Sequence, residues 1–163
     1  MEPIVIEHAT PADAAEVARI EGICFPEAEA ATLQQIEERI AAYPECFWLL
    51  KQNGRIVTFI NGMATSNPHL LDEMFADATL HEPEGAWQMI FSVATDPEFR
   101  KQGLAGKAIN TLIEDARAKN RTGIVLTCKD HLVHYYEGFG FVDEGICASE
   151  HGGVSWHEMR LTF

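Results

Sequence analysis

The stretch that most limits what this chain can fold into runs from residue 87 to residue 128. Residues 87–95, WQMIFSVAT, form a nearly continuous apolar run of strand length, which predicts one strand buried on both faces. The run stops at DPEFRKQGLAG, a segment of turn formers and basic residues. From Leu104 onward apolar residues recur in two rows, Leu104, Ala108, Leu112 and Ala105, Ile109, Ile113, Ala116, and that spacing predicts an amphipathic helix reaching to Asn120. The β-branched run GIVLTC (123–128) follows. Strand, helix and strand in this order make a βαβ unit, whose two strands lie in one sheet with the helix across its face.

The remaining segments supply partners for that unit. Thr10-Pro11-Ala12-Asp13 opens a helix, with a capping hydroxyl, a proline in the first turn and an acid near the positive end. Val17 and Ile20 define its apolar stripe. Thr32 and Gln35 form a capping box for a second helix, with Leu33, Ile36 and Ile40 turned inward. Residues 46–64, CFWLLKQNGRIVTFINGMA, read as a β-hairpin around Asn53-Gly54, a pair suited to a type I′ turn. Residues 66–85 are turn-rich, a loop with a short helix. HLVHYYEG (131–138) is a further short helix, and FGFVDEG (139–145) and VSWHEMRLTF (154–163) are closing strands. A length of 163 residues suits one domain, spanning 1–163, with a core that needs no staples.

Charge narrows the function classes. The chain has 12 Lys and Arg against 25 Asp and Glu, a net charge of −13, yet residues 100–129 hold 7 of those basic residues and only 2 acidic ones. A nucleic-acid binder shows a basic face over a larger area, so no nucleic-acid partner is expected. One local anion site in an acidic body is the better description, and such a body draws in cationic small molecules. No apolar run nears the 18 or so residues of a membrane span, and the start MEPIVIEHATPADAAE lacks the basic-then-apolar pattern of a secretory signal. Cys24, Cys46, Cys128 and Cys147 are widely spaced with no CxxC pair, as expected for free thiols of a cytoplasmic protein.

The turn at RKQGLAGK (100–107) shows where that anion would sit. The first amides of a helix lack intrahelical partners and point outward, and with the helix dipole they make an anion site. Glycine lets a backbone come close to a phosphate, and Arg100, Lys101 and Lys107 add charge. The stretch is neither a Walker A loop nor G-x-G-x-x-G. It does match [RQ]-x-x-G-x-[GA] through Arg100, Gly103 and Ala105, and here the chain resembles the GCN5-related N-acetyltransferase (GNAT) family. A second block strengthens the likeness. Cys128, Asp130, Leu132, Val133, Tyr136, Glu137, Phe139, Gly140 and Phe141 follow C-x-D-x-L-V-x-x-Y-E-x-F-G-F, which is similar to the arylalkylamine (serotonin-type) branch of that family.

The resemblance implies an α/β (α+β) fold, with a central mixed, mostly antiparallel sheet flanked by helices. It also implies acetyl-CoA as co-substrate and transfer of its acetyl group to a primary amine by direct attack through a tetrahedral intermediate. Arg100, Lys101, Gln102, Gly103, Leu104, Ala105, Gly106 and Lys107 would hold the pyrophosphate, with the amides from Lys101 to Lys107 donating. Val93, Ala94 and Thr95 would bind the pantetheine arm like an added strand, and an amide near Val93 or Thr95 would polarise the carbonyl. Tyr136 would be the catalytic acid, since a phenol's pKa lies close to that of a thiol. Phe25, Pro26, Met89, Phe91, Thr127 and Trp156 would line the acceptor pocket. Relatives carry two histidines where this chain has Met89 and Phe91, so their proton path is missing, and a small apolar amine is the expected acceptor. His81 matches a family histidine outside that pair and is not read as a base; His131 and His134 are read as surface residues. No metal is expected, because no histidine–carboxylate spacing suggests one. A monomer or homodimer is expected. The alternatives are an acetyltransferase of amino acids, antibiotics or protein N-termini, and a coenzyme-A-binding module without catalysis.

Overall fold

The computed structural model of the protein describes residues 3–147 and 155–163. After strand β1 (Val5–His8), a 3-10 turn at Pro11–Asp13 leads into helix α1 (Ala14–Cys24), so the helix proper begins just after the expected cap. Helix α2 (Leu33–Ala42) starts at the predicted capping box: Gln35 N donates to Thr32 Oγ1 at 3.1 Å, and Thr32 N donates to Gln35 Oε1 at 3.0 Å. Ile36 and Ile40 are buried, but Leu33 is 46% exposed. It occupies the first position of α2, before the inward stripe of that helix has closed on the sheet.

Strands β2 (Phe47–Gln52) and β3 (Arg55–Asn61) form the hairpin, and both Asn53 and Gly54 have positive φ, 54° and 75°, as a type I′ turn requires. A short β4 (Ala64–Thr65) and a short helix α3 (Asp72–Ala76) follow. The apolar run 87–95 is two strands, not one: β5 (Trp87–Ile90) and β6 (Ser92–Thr95), broken at Phe91. Helix α4 (Leu104–Ala118), β7 (Gly123–Cys128), helix α5 (Val133–Glu137), β8 (Val142–Ile146) and β9 (His157–Thr162) complete the chain. Val154, the expected start of the last strand, lies outside the described residues.

The break at Phe91 divides the sheet. One half has the order β1-β2-β3-β6, antiparallel throughout; the other has the order β4-β5-β7-β9-β8, in which only β5 and β7 run parallel. The expected βαβ unit is thus β5, α4 and β7. Tight backbone contact fixes the junction. A Cβ on Gly62 would stand 1.9 Å from the Met89 carbonyl oxygen, and the buried Gln88 side-chain amide donates to Gly62 O, Met63 O and Met89 O. The first half-sheet is covered on both faces. Trp48, Leu50, Val57 and Ile60 pack with Ala108 and Leu112 of α4, while Phe47, Leu49, Ile56 and Phe59 pack with Val17, Ile20 and Ile36 of α1 and α2. Alternate side chains therefore both find apolar cover, which is why β2 and β3 read as continuous apolar runs.

Candidate active site

Where the half-sheets part, the free edge of β6 borders a groove. Asp96 N donates to Val57 O at 2.9 Å. Antiparallel alternation then gives Ala94 to β3 as well and turns the backbone groups of Val93 and Thr95 to the open side. On that side Thr95 O already accepts from Cys24 Sγ at 3.3 Å, so α1 closes the far wall. The groove runs along Val93, Ala94 and Thr95 to Arg100, Lys101, Gly103, Leu104, Ala105 and Gly106 at the start of α4.

Backbone shape makes that end an anion site. Lys101 and Gly103 both have positive φ, 65° and 74°, and Gly103 caps α4 with no side-chain hydrogen bond. The amides of Leu104, Ala105 and Gly106 thus lack a capping acceptor and face the groove. A Cβ on Gly103 would meet nothing within 4 Å, so the space over the turn is open. These residues fit a pyrophosphate. Lys107 does not join them: its amide donates to Gly103 O at 3.1 Å as the first helical bond, and its side chain is exposed. Gln102 is exposed and also stands outside the groove wall. The turn is anchored from beneath by Asp96, whose carboxylate accepts from Glu98 N at 3.0 Å and from Arg19 and Arg55 at 3.1 Å each.

A second cavity adjoins the first and shares Cys24, Phe25 and Val93 with it. Its wall includes the expected Phe25, Pro26, Phe91, Thr127, Trp156 and Tyr136. Met89 is absent from that wall and fully buried in the core. Strict alternation along one strand would have put Met89, Phe91 and Val93 on one face, but the break at Phe91 resets it, and Ile90, Phe91, Ser92 and Val93 all reach the cavity. Phe91 packs on Phe75 with ring centroids 4.8 Å apart.

The cavity also holds charge that the sequence reading did not single out. Glu21 and Arg39, 4% and 3% exposed, lie in its wall. Glu21 Oε2 accepts from Ala31 N at 2.9 Å. Lys129 and Glu29 pair at 2.9 Å, with Lys129 Nζ 5.9 Å from the Trp156 ring. A signal existed for two of these. Arg39 falls in the inward stripe Ile36, Arg39, Ile40, Tyr43, and Glu21 follows Val17 and Ile20 on the buried face of α1; a charge at such a position is costly unless it is paired or used.

Tyr136 is 9% exposed and lines the cavity, with Cys128 and Leu132 nearby in the same wall. Burial raises its phenol above the ordinary value, with Cys128 and Tyr135 adding to the rise. The phenol therefore carries its proton throughout the neutral range. Burial also pushes the Cys128 thiol up to about 12, and its Sγ donates to Met159 Sδ at 3.5 Å, so it is no nucleophile. His131 is exposed at the rim, and His134 is exposed. His81 is committed elsewhere: its Nδ1 accepts from Ala64 N at 3.1 Å, and its Nε2 lies 2.9 Å from Glu45 Oε1. With Cys46 these two form a cluster of ligand-type atoms within 4.8 Å of one another. The Ala64 bond occupies the Nδ1 lone pair and leaves the ring proton on Nε2, facing Glu45, and burial pushes Cys46 up to about 11. Both features suit a structural hydrogen bond better than a metal ligand.

Comparison with known proteins agrees with this geometry. The model of the "Acetyltransferase (GNAT) family" matches residues 14–141. A protein of Mesocricetus auratus named serotonin N-acetyltransferase is 30% identical over 157 residues, covering 94% of this chain and 74% of its own length. Among solved structures, the loading GNATL domain of CurA from Lyngbya majuscula superposes with a TM-score of 0.84 at 17% identity, covering 98% of each chain. A GNAT family acetyltransferase from Brucella melitensis in complex with acetyl-CoA gives 0.64 at 18% identity, over 100% of this chain and 90% of the other.

Proposed function

Because this chain belongs to the acetyltransferase (GNAT) family, we propose that its two joined cavities bring acetyl-CoA and a small arylalkylamine together at Val93 and Tyr136. The protein is an acetyl-CoA-dependent N-acetyltransferase. When bound, acetyl-CoA supplies the activated acetyl thioester. The turn from Arg100 to Gly106 holds its pyrophosphate with backbone amides, and the open edge of β6 pairs with its pantetheine arm. The amide of Val93 or Thr95 donates to the acetyl oxygen. The Tyr136 hydroxyl holds the proton that the departing thiolate takes up. Phe25, Pro26, Phe91 and Trp156 seat the acceptor and shed water from around its amine.

The observation that carries this reading is the sharing of Cys24, Phe25 and Val93 by both cavities. It joins an anion site at a helix start to an aromatic chamber containing a protonated phenol. An arylalkylamine is favoured by the aromatic walls, by the acidic body that concentrates cations, and by the name of the hamster relative. Thiol release from acetyl-CoA with a panel of amines tests it. Turnover of phenylethylamine-like substrates ahead of spermidine is expected, since extra charges lose hydration on entry. A preference for spermidine, an amino acid or a peptide N-terminus would overturn the acceptor class. Coenzyme binding without turnover of any amine would leave a binding module.

A further inference from the structure

The second cavity has two distinct ends. One shares Cys24, Phe25 and Val93 with the coenzyme groove, whereas Phe75 and Phe91 line the chamber alone. At a rise of about 3.3 Å per residue, the wall from Val93 back to Phe91 covers roughly 7 Å. An acceptor whose amine meets the acetyl group beside Val93 and extends along that wall brings its other end to Phe75 and Phe91. Both rings are half-buried and line the open space.

Phe75 belongs to a wall that is held from several sides. It sits in α3, within the turn-rich stretch between β4 and β5. The buried Arg39 donates from Nη2 to Phe75 O at 2.9 Å and from Nη1 to Asn61 Oδ1 at 3.2 Å, tying α3 to β3. Met74, the preceding residue, is buried in the core. Just before α3, Leu70 N donates to Glu158 Oε1 at 3.2 Å. The Phe75 ring itself packs on Phe91 with centroids 4.8 Å apart, and the Arg39 guanidinium carbon lies 5.0 Å from the Phe91 centroid. Aromatic and cation–π contacts of this kind favour one placement of each ring. A close-packed wall gives little when an extra methylene presses on it.

We propose that Phe75 determines acceptor length: its ring is the stop against which the end of the acceptor remote from the amine packs. Phe91 shares the surface, but its amide donates to Asn61 O at 2.7 Å, so its position is tied to the strand pairing that presents Val93. The Phe75 ring hangs from α3, outside the sheet, and can be trimmed without altering that pairing.

This inference rests on the second cavity being the acceptor site, and the test separates the two. With acetyl-CoA as donor, kcat/KM is measured for ω-phenylalkylamines with two to five methylenes between ring and nitrogen, amines of similar pKa near 10. In the wild type, kcat/KM is expected to fall by about 10–200-fold at the methylene that first overruns the stop. In Phe75→Ala that fall is expected at a longer chain, and Phe75→Leu is expected to shift it less. The lengths are compared within each variant, so a general loss of activity lowers all of them alike and leaves the position of the fall unmoved. A wild-type series without a fall, or a folded Phe75→Ala with the fall at the unchanged length, would overturn the assignment. Phe75→Leu decides in the same way where Phe75→Ala does not fold. Turnover across the series with no fall removes only the role of Phe75. Failure of every amine with coenzyme bound removes the acceptor site and this inference with it.

Discussion

The two ends of the groove are built from different materials. The end we assign to the coenzyme is made mainly of backbone: the free edge of β6 and the uncapped start of α4, between residues 93 and 106, with the end of α1 and Tyr135 as walls. Its charged side chains Arg100 and Lys101 are exposed at the groove's edge, with Arg100 Nη2 donating to Cys24 Sγ at 3.7 Å. The end we assign to the acceptor is made of side chains drawn from α1, α2, the β5–β6 break, β7, α5 and the segment just before β9, with Glu21 and Arg39 buried among aromatics. The coenzyme end should therefore be sensitive to changes of backbone shape and tolerant of changes in its exposed side chains. At the acceptor end each side chain counts, and its electrostatics are those of a site from which water is largely excluded.

The sharpest division between the ends would come from Tyr136. Tyr136→Phe is expected to lower kcat by roughly 10²–10⁴-fold, the effect of losing a general acid, with acetyl-CoA affinity little changed by calorimetry. Near-normal kcat in a chemistry-limited assay would show that another group delivers the proton. Gly103→Glu should do the reverse and strike binding. A side chain at a φ of 74°, carrying a negative charge into the anion site, is expected to weaken acetyl-CoA binding more than about 100-fold through several lost charged hydrogen bonds. Unchanged affinity in a folded variant would break the comparison at its backbone end.

The pH profile probes the acceptor end in the unmodified enzyme. Only the neutral amine attacks, and its pKa is near 10. Met89 lies in the core and Phe91 in the wall, so neither position offers a base. The charged and titratable groups of the chamber are Glu21, Glu29, Arg39, Lys129, His131, Tyr136, Cys24 and Cys128. The expected kcat/KM rises about tenfold per pH unit toward the amine's own pKa. A plateau near 6.5–7 would reveal a histidine base, with His131 at the rim the first candidate.

The smallest effect concerns the support under the coenzyme turn. Burial pushes the Asp96 carboxyl up, but the Glu98 amide and the Arg19 and Arg55 guanidiniums outweigh it and hold the group below the usual carboxylate range. A depressed folded-state pKa means that the stabilisation is present at neutral pH, above the unfolded value near 4, and is lost as pH falls through the folded value. Asp96→Asn is expected to lower stability at pH 7 by on the order of 1 kcal/mol, with the difference shrinking in urea titrations below pH 4. An equal difference at pH 7 and pH 3 would assign the role of Asp96 to shape alone.

By itself the sequence determined the glycine turn and the helix start that border the groove we assign to the coenzyme. These parts are contiguous, and local rules govern them: an apolar run, a glycine turn and a 3.6-residue period. The capping box at Thr32, the type I′ turn at Asn53-Gly54 and the βαβ order were legible for the same reason. Tertiary structure alone decided the rest. The apolar run 87–95 contains no glycine or proline to announce the break at Phe91. That break is imposed from outside, by the close approach of Gly62 and the Gln88 amide bonds across the chain. It moved Met89 into the core, and no count of alternating residues could have foreseen that. The chamber joins Glu21, Arg39, Phe91, Tyr136 and Trp156 from segments more than 100 residues apart. Position in sequence says nothing about such proximity, because the contacts arise only when α1 and α2 close on one half-sheet while α5 and the segment before β9 close on the other. A charge on the buried stripe of α2 could be read from the sequence. That its guanidinium is held by Asn61 Oδ1 and the Phe75 carbonyl in the chamber wall was settled by packing.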